Sequence, residues 1–204
     1  MDKVKIGNMA IGFCGGNSIM SFEDGTTESD LCKINYEPAR DYCLEMRDWT
    51  FASERRRLTP LADAPVSEFS HAFQLPSDCF VLRQVSDNQD MKSSIEYQVD
   101  GNRILCDAGI VYVRYTVQVT NTSLFSPSFA LAVATKLAEL ISVALTASPA
   151  MKQAYEQGSE RLLEDSGAID GMQGTPKRAY ASRLLSARRG AYSHMGQPIY
   201  DWGY

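Results

Sequence analysis

The sequence predicts an α+β chain: a helical bundle interrupted by a small antiparallel β domain and followed by an extended C-terminal arm. Three observations predict it. Apolar residues recur at three- and four-residue steps before Trp49 and again after Ser126. Between Trp49 and Phe125 the recurrence has period two, the period of a strand. After Met172, glycine, proline, arginine and aromatic residues replace both patterns. The expected segments are a first helical part over 1–48, a β insertion over 49–125, a second helical part over 126–171 and an arm over 172–204.

A first short helix is expected from Lys3 to Phe13, weakened by Gly7 and Gly12 and stopped by Gly15, Gly16 and Asn17. A longer one follows. Leu31, Ile34, Ala39, Tyr42, Cys43, Met46 and Trp49 form its apolar stripe, and Lys33, Glu37, Arg40, Asp41, Glu45 and Asp48 its polar face. Thr27 with Asp30 reads as its capping box, and Glu28 and Asp30 suit its first turn. Pro38 either kinks this helix or opens a second one. Beyond Trp49, Thr50 and Phe51 look extended and lead into Arg55, Arg56 and Arg57.

Alternation then marks strands at Phe69–Leu75, Phe80–Val85, Ile95–Val99 and Val111–Val119. Asp100-Gly101-Asn102 reverses the chain into Arg103–Cys106, a hairpin signal. Ser126-Pro127 and Ser148-Pro149 each place a capping serine before proline at the first helical position. The first of these helices carries Phe129, Val133, Leu137, Leu140, Ile141 and Ala144. Thr135, Lys136, Glu139, Ser142 and Thr146 form a polar stripe on it, which favours a buried helix over a membrane span. The second carries Met151, Tyr155, Gly158 and Leu162 and is expected to stop near Gly167.

The 204 residues carry ordinary globular proportions, 44% hydrophobic and 22% charged, with a net charge of -5. That charge is uneven. The last segment holds Lys177, Arg178, Arg183, Arg188 and Arg189 against Asp201 alone, so the rest of the chain is the acidic part. A basic, aromatic tail on an acidic body suits docking on an acidic surface; the alternative is a solvated tail. The five cysteines form no CxxC pair, which fits buried thiols in a reducing compartment. The N-terminus has no long apolar stretch ending in a cleavage site, so no signal peptide is expected.

Catalytic patterns are sparse. Of the two histidines, His71 shares a strand face with Phe69 and Phe73, and His194 falls in the tail. There is no G-x-S-x-G elbow, Walker A loop, GxGxxG or metal-ligand spacing, so no cofactor or metal is expected. The adjacent acids Glu23-Asp24 and Glu164-Asp165 are what a glycan hydrolase of the acid–base type would have to use. Asn121-Thr122-Ser123 matches a glycosylation acceptor without other signs of secretion. Side chains of Arg55, Arg56 and Arg57 alternate on an extended segment. They suit an acidic neighbouring subunit, DNA in a channel, or plain solvent.

Three segments, in order, resemble one family. Tyr36, Pro38, Arg40, Asp41, Leu44, Trp49, Phe51, Ala52 and Arg55–Arg57 resemble the Y-D-P-x-R-D-x-x-L…W-N-F-A segment of phage tail tubular protein A and related head-to-tail adaptors. Phe73-Gln74-Leu75-Pro76-Ser77-Asp78-Cys79 is similar to its Y-x-L-P-x-D-C, and Asn8, Ala10, Gly15 and Ile19 to its N-x-A-L…G…I. Thr50 departs from the usual asparagine, and Gly12 from a leucine-side position. The likeness covers Lys3 to Val85, and the later helices only by order and length.

The resemblance implies a structural virion protein of the tail, assembled in the host cytoplasm, with no enzymatic step and no membrane. It implies a homo-oligomer, a dodecameric ring between the portal protein and a tubular protein B-like tail nozzle. Tail fibres are possible further partners, and genomic DNA passes the channel without specific binding. Trp49, Phe51, Arg55, Arg56 and Arg57 would then serve the domain junction or subunit interface. Tyr180, Leu184, Leu185, Arg188, Arg189, Tyr192, Tyr200 and Trp202 would be the partner-binding residues of the arm.

Overall fold

Helix formation starts at Lys3 because Asp2 is extended and the apolar residues Ile6, Ala10 and Ile11 then fall on one buried face. A computed structural model describes residues 1–63 and 65–173. Helix α1 spans Lys3–Cys14 and ends on Gly15, whose positive φ of 73° only glycine adopts without cost. Gly7 has a packing role rather than a weakening one. A Cβ there would lie 2.9 Å from the Phe22 ring and 3.5 Å from Cys32 Sγ, so its absence lets α1 approach its neighbours.

Helix α2 spans Thr27–Met46 and corrects two expectations. Its cap is Thr26, not Thr27. The Thr26 hydroxyl accepts from Ser29 N at 3.2 Å, and Ser29 Oγ accepts from Thr26 N at 3.0 Å. Thr26 is the last extended residue, so the reciprocal pair forms one position earlier and Ser29 takes the role expected of Asp30. Glu28 and Asp30 do occupy the first turn. The buried stripe is Ser29, Cys32, Tyr36, Ala39, Arg40, Cys43 and Leu44. Ile34, expected inside, is 69% exposed, and Arg40, expected outside, is 4% exposed. Pro38 neither divides nor ends the helix. It and Ile34 lie on the exposed side, where water can reach the Ile34 carbonyl that lacks an N–H partner.

The chain then turns through a 3₁₀ segment, Thr50–Ala52, where an extended run was expected. Among the described residues six strands follow: β1 Ser53–Leu58, β2 His71–Gln74, β3 Cys79–Ser86, β4 Gln98–Asp100, β5 Arg103–Cys106 and β6 Val111–Val117. They form two antiparallel three-stranded sheets, ordered β1-β6-β3 and β2-β5-β4. The expected hairpin is present. Asp100 pairs with Arg103 across Gly101-Asn102, with Gly101 at a φ of 58°. Strand β4 is shorter than its pattern, because Ile95 N instead donates to Val85 O and Ile95 and Tyr97 pack on the β core. That core takes Leu58, Val85, Val111, Val113 and Tyr115 from one sheet and Phe73, Ile104 and Cys106 from the other.

Helix α3, Pro127–Thr146, begins where Ser126 Oγ accepts from Phe129 N at 3.2 Å, with Pro127 at the first position. It is long and apolar enough to cross a membrane, and here most of it is buried against α1 and α2. Helix α4, Pro149–Gln173, runs past Gly167, where a stop was expected; glycine costs a helix only about 1 kcal/mol, and no proline follows before Pro176. It packs on α3 over the polar stripe. Thr135, Glu139 and Ser142 are therefore buried, while Leu140 and Val143, at 38% and 43%, face outward. Burying that stripe is tolerable because its members satisfy one another. Lys136 Nζ lies 3.0 Å from both Glu139 oxygens and 4.0 Å from the Tyr42 ring centroid. Ser159 Oγ of α4 donates to Glu139 Oε2 at 3.2 Å.

Between α3 and α4, Ala147 adopts the left-handed conformation, φ 53°, ψ 20°, and its N–H closes the helix on Val143 O. A Cβ there is strained, and glycine is the usual residue at this point. Ala147→Gly is expected to stabilise the chain by about 1 kcal/mol, read as a higher urea midpoint with an unchanged slope.

Candidate partner-binding face

The two aromatic residues singled out before β1 are brought together with two after β6. Trp49 is fully buried and its Nε1 donates to Cys43 O at 2.8 Å, tying it to the last turn of α2. Its ring meets Phe129 edge-on, with centroids 4.9 Å apart. Phe51 lies 5.1 Å from Phe129 and 5.9 Å from Phe125, and Phe125 lies 4.7 Å from Phe129. The chain thus leaves the helices at Trp49 and Phe51 and re-enters them at Phe125 and Phe129 through one ring cluster. Edge-to-face contacts of this kind add about 1 kcal/mol each beyond area burial.

A second tie went unnoticed in the sequence. Arg83, on β3, holds its Nη2 2.8 Å from the carbonyl oxygens of Leu44, Glu45 and Arg47, and its Nε donates to Thr116 Oγ1 at 2.8 Å. These carbonyls end α2 and have no helical N–H to accept from, so the guanidinium serves as a C-terminal cap supplied by a strand. Burial lowers the Arg83 pKa. In the sequence Arg83 reads as one polar residue inside Phe80–Val85. Register shifts at Cys79/Val81 and Leu82/Gln84 turn it toward the helix.

The three arginines of β1 part company. Arg56 lies 3.2 Å from Asp78 Oδ2 and 3.7 Å from Glu54 Oε2, and sits 5.9 Å from the Tyr115 ring. The buried Tyr115 hydroxyl is 3.2 Å from Glu54 Oε2 and from Asp78 Oδ1. Its pKa is raised, first by burial and then by the Asp78 charge. Arg55 and Arg57 project from the opposite side of the strand, where no ion pair holds them among the described residues. Arg55 stands across from Arg114 and Arg57 across from Tyr112. Like charges directly opposite are unfavourable; Arg114 turns aside to pair with Asp48. With Gln89, Met91 and Tyr112, the β1 arginines line a shallow groove of about 260 Å³. Strand β1 is a sheet edge, so the groove lies beside unpaired backbone. An acidic partner surface would meet two free guanidinium groups there.

The carboxylates considered for hydrolysis are differently employed. Glu23 pairs with Lys33 at 2.6 Å, and Asp24 Oδ2 accepts from Met20 N and Ser21 N to close a turn. Glu164 is exposed on α4, and the Asp165 side chain lies outside the described residues. Among the described residues, two carboxyls shift from their ordinary range, and both go down: Asp90 through its bond to Lys92, Asp107 through two bonds from Ser70. An acid catalyst needs the opposite shift. His71 lies on β2 with its ring 6.5 Å from Phe73. No cluster of three metal-ligating side chains occurs among the described residues. All five thiols are free, and burial pushes Cys32 up to about 11 and Cys43 to about 12. The arm residues Tyr180, Leu184, Leu185, Arg188, Arg189, Tyr192, Tyr200 and Trp202 lie outside the described residues. Neither a family model nor a curated protein matches the chain.

Proposed function

We propose that this chain is a structural virion protein, a head-to-tail adaptor whose copies form a ring between portal and tail nozzle and continue the DNA channel. In this reading the helices form a bundle, the β section is an insertion into it, and residues 172–204 are the arm that docks on the portal or a neighbouring copy. The observation that carries it is the ring cluster of Trp49, Phe51, Phe125 and Phe129, which closes the helical part behind the β section. This is the element order that the motif resemblance implies. The unpaired Arg55 and Arg57 supply a basic edge on an acidic chain, so one copy can meet the next head to tail by charge complementarity. Leu140 and Val143, outward on α3, add apolar area for the same contact. The task needs a rigid body and a closing interface, not a reaction. An acidic wall would also keep DNA phosphates from adhering as the genome slides past.

The test is electron microscopy and mass photometry of the protein with its portal, each alone and mixed. A ring capping the portal at equal copy number is expected. Arg55→Glu with Arg57→Glu should change folding stability by less than about 1 kcal/mol and abolish the ring. A chain cut after Gly174 should fold but not bind. A wild-type chain that stays monomeric beside a competent portal rules the reading out.

A further inference from the structure

Two rows of like charge stand unmatched on this chain, one on a strand and one on a helix. On β1, Arg55 and Arg57 share the outer side of the sheet, about 6.6 Å apart along the strand. They lie across from Arg114 and Tyr112 of β6, and Arg114 is taken by Asp48. On α4, Glu156, Glu160 and Glu164 recur at every fourth residue and form one row with steps of about 6 Å. All five side chains are exposed. Among the described residues none of the five forms an ion pair, and Lys152 and Arg161, which flank the glutamate row, make none with it. Each row is unfavourable by itself. Like charges four residues apart weaken a helix, and like charges across a strand pair weaken a sheet.

The arginine row borders the shallow groove that Gln89, Met91 and Tyr112 complete. Its floor is firmly built. Met91 is buried with φ at 50°, a left-handed conformation that a side chain disfavours, and Gln84 Nε2 donates to its carbonyl at 2.9 Å and holds it there. We propose that this groove receives the glutamate row of α4 from a second copy of the chain, Arg55 and Arg57 each meeting one carboxylate. The spacings agree, so the two arginines can pair with Glu156 and Glu160 or with Glu160 and Glu164; Glu160 serves in both registers. Tyr112 and Met91 give the contact an apolar centre between its charge pairs. Charge also selects a helix over a nucleic acid. Asp87 and Asp90 are exposed on the loop that carries Gln89, and would repel a phosphate backbone that ran on past the arginines. The inference rests on the adaptor reading, whose copy-to-copy contact has β1 as one half; the α4 row is the other half.

Charge reversal in pairs tests it. The full chain is followed by sedimentation velocity over a concentration series, alone and with its portal. Arg55→Glu with Arg57→Glu sets acid against acid, and Glu160→Lys with Glu164→Lys sets base against base. Each double variant should assemble at least about a hundredfold more weakly than wild type. An equimolar mixture of the two should recover assembly to within about tenfold, because every contact between unlike copies is again complementary. The chain carrying all four substitutions should recover likewise. Loss of fold cannot mimic this pattern, since mixing does not repair a misfolded chain, and all four sites are exposed. Raising salt should weaken wild type and the fourfold variant alike. If Glu160→Lys with Glu164→Lys assembles like wild type, or if neither the mixture nor the fourfold variant recovers, the α4 row is not the occupant and the adaptor reading stands without it. If wild type forms no oligomer with or without portal, both fall. Duplex DNA is titrated in parallel: DNA affinity lost in Arg55→Glu with Arg57→Glu, while self-assembly is unchanged, would give the groove to nucleic acid and overturn the proposal.

Discussion

Trp49→Ala is expected to destabilise the protein by about 4 kcal/mol, a large share of the 5–15 kcal/mol typical of a whole domain. Three losses combine. The indole is fully buried, so its removal leaves a cavity at the point where the helices join the β section. Phe129 and Phe51 lose their ring partner. Cys43 O loses its donor at the end of α2. Urea unfolding followed by circular dichroism measures the total. Trp49→Phe separates the contributions: it keeps most of the packing but orphans the Cys43 carbonyl, and should cost about 2 kcal/mol. A loss below about 1 kcal/mol for the alanine variant would contradict a core role for this ring.

Arg83→Ala is expected to cost about 3 kcal/mol, although Arg83 is only half-buried. Its guanidinium satisfies carbonyls of Leu44, Glu45 and Arg47 and the Thr116 hydroxyl together. Hydrogen bonds to a charged donor are each worth about 1.5–3 kcal/mol, and bonds that share one group do not add in full. Arg83→Lys keeps the charge but presents a point donor in place of a planar fork, and should recover less than half of the loss. The effect is also expected to be local. Hydrogen exchange should quicken first in the last turn of α2 and in β3, before the rest of the chain responds. Uniform loss of protection in Arg83→Ala, with no early opening at α2, would show that Arg83 acts through general packing rather than as the tie between helix and strand.

Much of the fold was legible because the signals are local. Ser126-Pro127 caps α3, Asp100-Gly101-Asn102 turns β4 into β5, and the alternation from Val111 onward is β6, each from chemistry contained in a few neighbouring residues. The α+β class followed from where the period changes. Legibility ended where two faces of one element were both plausible. On α2, Ile34 and Met46 offered an apolar stripe as good as the one through Cys32 and Tyr36. On α3, the sequence marked a polar stripe but not what lies over it; α4 covers it, because Lys136, Glu139 and Ser159 neutralise and bond one another. The candidate site was divided in the same way. Alternation alone separated Arg56 from Arg55 and Arg57, but not which side would find acids.

Sequence by itself determined the types of element, their order and most of their ends, because backbone preference, capping and turn chemistry act within a few residues. Only the tertiary structure decided which helix faces are inside, which arginine caps α2 and which two are left unpaired. Those outcomes depend on partners far apart in the chain, and a donor can be counted as satisfied or orphaned only when every neighbour is in place.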